Sequence, residues 1–251
     1  MATSVNLVEL QDTLYTSRNP TRRWLHTQRL EWVLSALERH KPAPCHRALE
    51  IGPGSGTYLP TLCAMADEVV AADIEDAYLE KAKTLTSRLP NLQPLKDDIT
   101  ASKLPTGHFD LILCTEVIEH IPGSPAGLRE MRRLLRPGGV LVLSTPQKYS
   151  TMEMMCKIAL LPGIIEIVRM IYREPVVEST HCNLLTAGMC RRLITEAGLT
   201  IVDHYKLALY LPFIAELTGR VGLRLEQWLE SALRGTPLDG LLWTQCYVAR
   251  A

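Results

Sequence analysis

The stretch "TEVIEHIP" at 115–122 carries Glu116, Glu119 and His120 at positions i, i+3 and i+4. On a helical turn these three side chains share one face. Two carboxylates and an imidazole together can hold a divalent cation, and Glu119 and His120 can move a proton. A plain structural hydrogen-bonding role for the histidine competes with both.

A second cluster lies upstream. "ALEIGPGSGTYL" at 48–59 places Gly52, Gly54 and Gly56 directly after an apolar run. Glycines between a strand and a helix let the backbone turn tightly and approach a ligand. Asp73 follows 17 residues after Gly56, where a carboxylate can accept from both hydroxyls of a ribose. It can equally cap the next helix. The spacing is G-x-G-x-G, not the G-x-G-x-x-G of nicotinamide sites, and Glu50 just ahead of the loop is badly placed for a pyrophosphate. A cationic ligand suits that carboxylate. S-adenosylmethionine, with its sulfonium and ammonium groups, has the right sign.

These residues fall at the junctions of an alternating pattern. A helix is expected at 22–40, with apolar side chains at 25, 30, 33, 34 and 37 and Pro42 beyond its end. Strands follow at 47–52, 68–74, 92–98, 109–116 and 139–145, separated by helices near 57–66, 75–89 and 124–136. Strands that are apolar on both faces and alternate with helices predict a parallel sheet covered on both sides. Ligands then bind at the carboxyl ends of the strands. Later come a helix at 186–198, a strand at 199–208, a detour at 208–238 and a last strand at 241–250. In the detour Phe213, Leu217, Val221, Leu225 and Trp228 mark one helical face, with Glu216, Arg220, Arg224 and Gln227 on the other.

The composition narrows the function classes. Of 251 residues 47% are hydrophobic and 22% charged, and 27 basic residues balance 27 acidic ones. No global field draws the chain to nucleic acid, and Arg22, Arg23 and Arg29 read as a solvated helix face. Seven scattered cysteines without a C-x-x-C predict reduced thiols, hence a cytoplasmic protein. The greasiest segment, 158–172, is too short and too charged to span a bilayer.

"LEIGPGSGT", "VVAADI", "LKDDI", "FDLILCTEVIEHI" and "LRPGGVLVLSTP" occur in this order. In this the chain resembles the class I S-adenosylmethionine-dependent methyltransferases, and within them the branch of ubiquinone-biosynthesis O-methyltransferases. The resemblance implies a Rossmann-like, seven-stranded, mostly parallel α/β sheet with a reversed last strand and a helical cap. It implies a single domain, 1–251, in which 42–146 binds S-adenosylmethionine and 1–41, 147–180 and 208–238 form the cap. Glu50, Gly52, Gly54 and Gly56 would line the methionine end, and Asp73 would take the ribose hydroxyls. Ile74 would pack on the adenine, with Asp98 and Ile99 at its amino group and Asp97 a rival for that place. Thr115 and Glu116 would sit beside the methionine part. In related quinone and small-RNA methyltransferases the E-x-x-E-H arrangement holds a divalent metal. In the RNA enzymes a downstream histidine completes that site, so Glu116, Glu119, His120 and His181 become a candidate set for Mg²⁺ or Mn²⁺. A metal-free His120 base and no catalytic role at all stay open beside it.

The expected reaction is methyl transfer to a small, hydrophobic, quinone- or lipid-like acceptor, at oxygen. Met152, Met154, Met155 and Met170 in the first cap segment suit irregular apolar ligands. Core or dimer packing explains the same grease. Membrane contact is expected to be weak, because the helices lack a Lys/Arg-rich polar face. Alternatives are a metal-dependent 2′-O-methyltransferase of RNA and a non-catalytic scaffold that binds S-adenosylmethionine. Neutral charge speaks against nucleic acid as a partner.

Overall fold

The computed structural model describes residues 14–17, 20–161, 163, 165–166, 181–212 and 214–251. Phe213, Arg169, Met170 and the rest of the cap at 1–13 and 167–180 lie outside the described residues, as does the side chain of Glu216.

Apolar runs build a seven-stranded sheet of order β3-β2-β1-β4-β5-β7-β6. The strands are β1 (Arg47–Ile51), β2 (Glu68–Asp73), β3 (Leu92–Lys96), β4 (Phe109–Thr115), β5 (Leu135–Pro146), β6 (Thr200–Leu207) and β7 (Thr244–Arg250). β7 runs antiparallel to both β5 and β6, and the pairs from β3 across to β5 are parallel. The reversed last strand is therefore where the sequence places it. From β1 the chain moves outward through β2 and β3, then returns to β4 on the other side of β1. That reversal opens a crevice at the carboxyl ends of β1 and β4.

Successive strand residues point to opposite faces, and both faces are covered. On one side α1 (Pro20–His40), α2 (Leu59–Met65) and α3 (Asp76–Leu85) pack Leu25, Val33, Leu37, Leu62 and Ala82 against Val69, Leu111 and Val140. On the other, α4 (Ser124–Leu134) and α6 (Ala187–Glu196) pack Leu128, Met131 and Ile194 against Leu49, Ile112 and Leu141. Beyond these layers come α5 (Thr151–Ala159), α7 (Ile214–Thr218) and α8 (Arg220–Leu233), the last two packed on α1.

Two expectations fail for physical reasons. Arg29 is not a solvated helix residue but 7% exposed, in the buried row of α1 with Leu25 and Val33. The core alternative fails for the apolar face of the 208–238 detour: Leu217, Val221, Leu225 and Trp228 are all exposed. What α8 buries is Gly222, Glu226 and Glu230, because those two carboxylates find partners on α1 and on the chain leaving β6. Among the described residues no helix is long and apolar enough to cross a membrane. All seven cysteines are free thiols.

Candidate active site

The glycine loop follows β1 directly, and Gly52, Gly54 and Gly56 all have positive φ, at 66°, 54° and 79°. Only glycine adopts that conformation without strain. A Cβ on Gly52 would stand 2.4 Å from Val117 Cγ2, and one on Gly56 would stand 2.8 Å from Leu85 Cδ1. The glycines thus serve the loop's own folding as well as leaving room for a ligand. The parallel register sets Ile51 opposite Cys114, so Gly52 and Thr115 leave adjacent strands side by side. A pocket of about 100 Å³ lies there, walled by Gly52, Gly54, Tyr58, Thr115, Glu116 and Arg29.

Under the loop Glu50 is 1% exposed, and neither carboxylate oxygen has a hydrogen-bond partner among the described residues. Burial pushes its pKa up to about 8. An orphaned buried acid is costly unless a ligand completes it, and the ammonium or sulfonium of S-adenosylmethionine has the required charge. Arg29 enters the pocket from α1. Its guanidinium pairs with the Glu116 carboxylate at 2.9 Å and lies 5.7 Å from the centroid of the Trp243 ring. Burial, the largest single influence, would lower the guanidinium pKa, but Glu116 together with Tyr58, Tyr15 and Cys246 outweighs it, and Arg29 stays cationic.

Asp73 ends β2 and is largely buried, with burial raising its pKa against backbone hydrogen bonds that lower it. Its Oδ1 accepts from the Glu75 N–H at 2.9 Å, next to the start of α3. Ile74 projects beside it, 57% exposed, as an apolar platform would. Asp98 is exposed, and its Oδ1 accepts from both the backbone N–H and the hydroxyl of Thr100. Asp97 accepts from Lys103 N–H, and Ile99 is buried in the core.

The E-x-x-E-H stretch does not form one helical face. Only Ile118–His120 is helical, as a single 3₁₀ turn. Glu116 precedes it with φ 55°, and its carboxylate is held by Arg29 and by the Ser144 hydroxyl at 2.8 Å. Glu116 is therefore turned to the donor pocket, and the four-residue metal set is corrected to three. Glu119, His120 and His181 each offer a ligand atom, all within 4.8 Å of one another. Glu119 is fully buried; its Oε2 accepts from the Thr145 hydroxyl at 2.9 Å, while Oε1 has no hydrogen-bond partner among the described residues. Burial, then the Glu116 charge, raises its pKa well above the usual carboxylate range. The backbone N–H groups of Cys182 and Asn183 both donate to the Glu119 carbonyl at 3.0 Å, which brings His181 against His120 with ring centroids 5.1 Å apart.

Two contributors escaped the sequence reading. Glu153, buried at the first turn of α5, lies 3.3 Å from His181 Nδ1 and accepts from the Trp243 indole N–H at 3.4 Å. Trp243 thereby touches both the Arg29 side and the His181 side. Arg29 had a legible signal, its place on the buried row of α1. Glu153 and Trp243 had none, since tertiary packing alone joins them.

A family model described as "Methyltransferase domain" matches residues 21–204. The chain belongs to this family. A ubiquinone biosynthesis O-methyltransferase of Xanthomonas axonopodis pv. citri is 33% identical over 126 residues, 48% of this chain and 50% of that protein. The chain thus matches about half the length of such relatives. Among solved structures, one described as a putative sarcosine dimethylglycine methyltransferase from Galdieria sulphuraria has TM-score 0.61 at 16% identity, covering 91% of this chain and 86% of that one. The CurJ carbon methyltransferase has TM-score 0.59 at 19% identity, with 97% and 58% covered. These two share the fold, yet one is named for sarcosine and dimethylglycine and the other for carbon. The fold does not choose the acceptor.

Proposed function

We propose that this methyltransferase moves the methyl group of S-adenosylmethionine to an oxygen of a small, apolar acceptor, with the acceptor hydroxyl at Glu119, His120 and His181. One observation carries the proposal: β1 and β4 end side by side, and Glu116, which walls the glycine-loop pocket, stands three residues ahead of Glu119 in the Glu119–His120–His181 cluster. Glu50 answers the donor's positive charge, Arg29 its carboxylate, Asp73 its ribose and Ile74 its adenine. Asp98 and Ile99 close the adenine side. Residues 42–146 form the donor half of a single domain, and α1 and α5 flank the acceptor.

Methyl transfer is an in-line displacement on an already activated carbon, so positioning and exclusion of water supply most of the acceleration. His120, whose side chain is 41% exposed, takes the acceptor proton. His181, with Glu153 on its Nδ1 side, holds a fixed orientation. The cluster fits a divalent cation, because an orphaned buried carboxylate oxygen and two imidazoles converge. Two nitrogens and one oxygen favour Mn²⁺ over Mg²⁺, which prefers oxygen. When bound, the cation supplies Lewis acidity toward the acceptor oxygen.

Methyl-labelled S-adenosylmethionine is given to the chain with an extract of its own cells, and the products are divided between organic solvent and water. Label in the organic phase is expected. Label confined to water would overturn the apolar acceptor and favour RNA termini or polar metabolites. S-adenosylhomocysteine binding without any turnover would leave a scaffold.

A further inference from the structure

Helix α8 buries its acids and exposes its grease. Inside, Glu226 accepts from the Thr21 hydroxyl at 3.1 Å, and Glu230 accepts from Gln28 and the backbone of Ala208 and Leu209 and pairs with Arg234. Outside, Val221, Leu225 and Trp228, spaced by four and three, form one row that is 75%, 45% and 65% exposed. Leu217 before it and Leu238 after it are exposed as well. Arg220 and Arg224, one turn apart, border the row and are exposed. Since Glu226 and Glu230 are the only acids in α8, every exposed charge on the helix is positive.

We propose that this face docks on an anionic lipid bilayer. The charge selects the occupant: among the described residues of α8, arginines without an exposed carboxylate on the same helix match a negative headgroup layer. The shape agrees, a convex helix with an aliphatic row and a tryptophan, the residue that settles at headgroup depth. A second copy of the chain fits less well, because a two-fold contact would set Arg220 and Arg224 against their own counterparts. The weak membrane affinity expected from sequence rested on the lack of a Lys/Arg-rich polar face, and the fold takes Glu226 and Glu230 off the surface of this one. The proposal is independent of the acceptor assigned above.

The full chain, without cofactor, is floated with vesicles of phosphatidylcholine alone and with vesicles containing about a third phosphatidylglycerol. Binding to the anionic vesicles only, reversed by high salt, is expected. Of the four tryptophans Trp228 alone is exposed, so brominated lipid should quench its emission. The exposed pairs Val221→Gln/Trp228→Gln and Arg220→Gln/Arg224→Gln should each lower partitioning about tenfold or more without changing the melting temperature. Failure of the folded wild-type chain to bind anionic vesicles, or unchanged partitioning by both double variants, overturns the proposal. So does a dimer in solution that Trp228→Gln dissociates, which would assign the face to a second copy.

Discussion

The donor and acceptor sides of the crevice are built by different rules. On the donor side Gly52, Gly54, Gly56 and Asp73 come from 22 consecutive residues, and local backbone conformation does most of the positioning. On the proposed acceptor side Glu119, His120, Glu153, His181 and Trp243 are drawn from about half the chain, and only tertiary contacts bring them together. The donor side should therefore respond to backbone changes, and the acceptor side to loss of single partners.

The sharpest test of that contrast is the histidine pair. His120→Ala and His181→Ala should each lower kcat by about 10²–10⁴-fold with little change in donor affinity. If they serve one cation, the double variant should be no worse than either single one, and EDTA should reproduce the loss. Activity indifferent to EDTA would leave His120 as a metal-free base.

Arg29→Ala comes next, since it strands the Glu116 carboxylate in a mostly buried place. Chemical denaturation should show a loss of about 3 kcal/mol, and donor binding should weaken too. Stability unchanged from wild type would mean that the Arg29–Glu116 contact holds nothing together.

How much of this was legible follows the same division. The strands could be placed along the chain because apolar runs bounded by glycine and proline are local signals, whereas the reversed last strand came from the family resemblance. The donor residues came from a contiguous motif. Glu116 was read both as a donor-side residue and as a metal ligand; the spacing argument for the second assumed a helix, whereas its φ is 55° and Arg29 and Ser144 hold its carboxylate. The direction of the α8 face stayed open for a related reason: hydrophobic periodicity locates a stripe but not the direction it faces, and two hydrogen-bonded carboxylates decided that direction.

On the donor side, Asp73→Ala should weaken S-adenosylhomocysteine binding by ~1–3 kcal/mol in calorimetry, the size of one unmade buried polar interaction. Undiminished affinity would move the ribose elsewhere.

The smallest effect is a pH slope. Glu50, with its pKa raised to about 8, is neutral below that pH in the free chain. A cationic ligand favours the ionised form, so binding expels a proton and affinity should rise with pH, by at most about tenfold per unit, levelling near 8. The stability arising from this raised pKa has the opposite sense. It is complete below the ordinary carboxylate range and is lost as pH climbs to about 8. Glu50→Gln should flatten both profiles, and a slope surviving that substitution would assign the proton to another group.

The two backbone N–H groups that clasp the Glu119 carbonyl have a consequence for how such an enzyme changes its substrate. They fasten Cys182 and Asn183 to the turn bearing His120, so the position of His181 does not depend on the length of chain that leads to it. Exchanging the stretch that leads into Cys182 is therefore expected to leave Glu119, His120 and His181 together. A library of replacement segments there would test whether acceptor choice can be changed apart from the proposed chemistry.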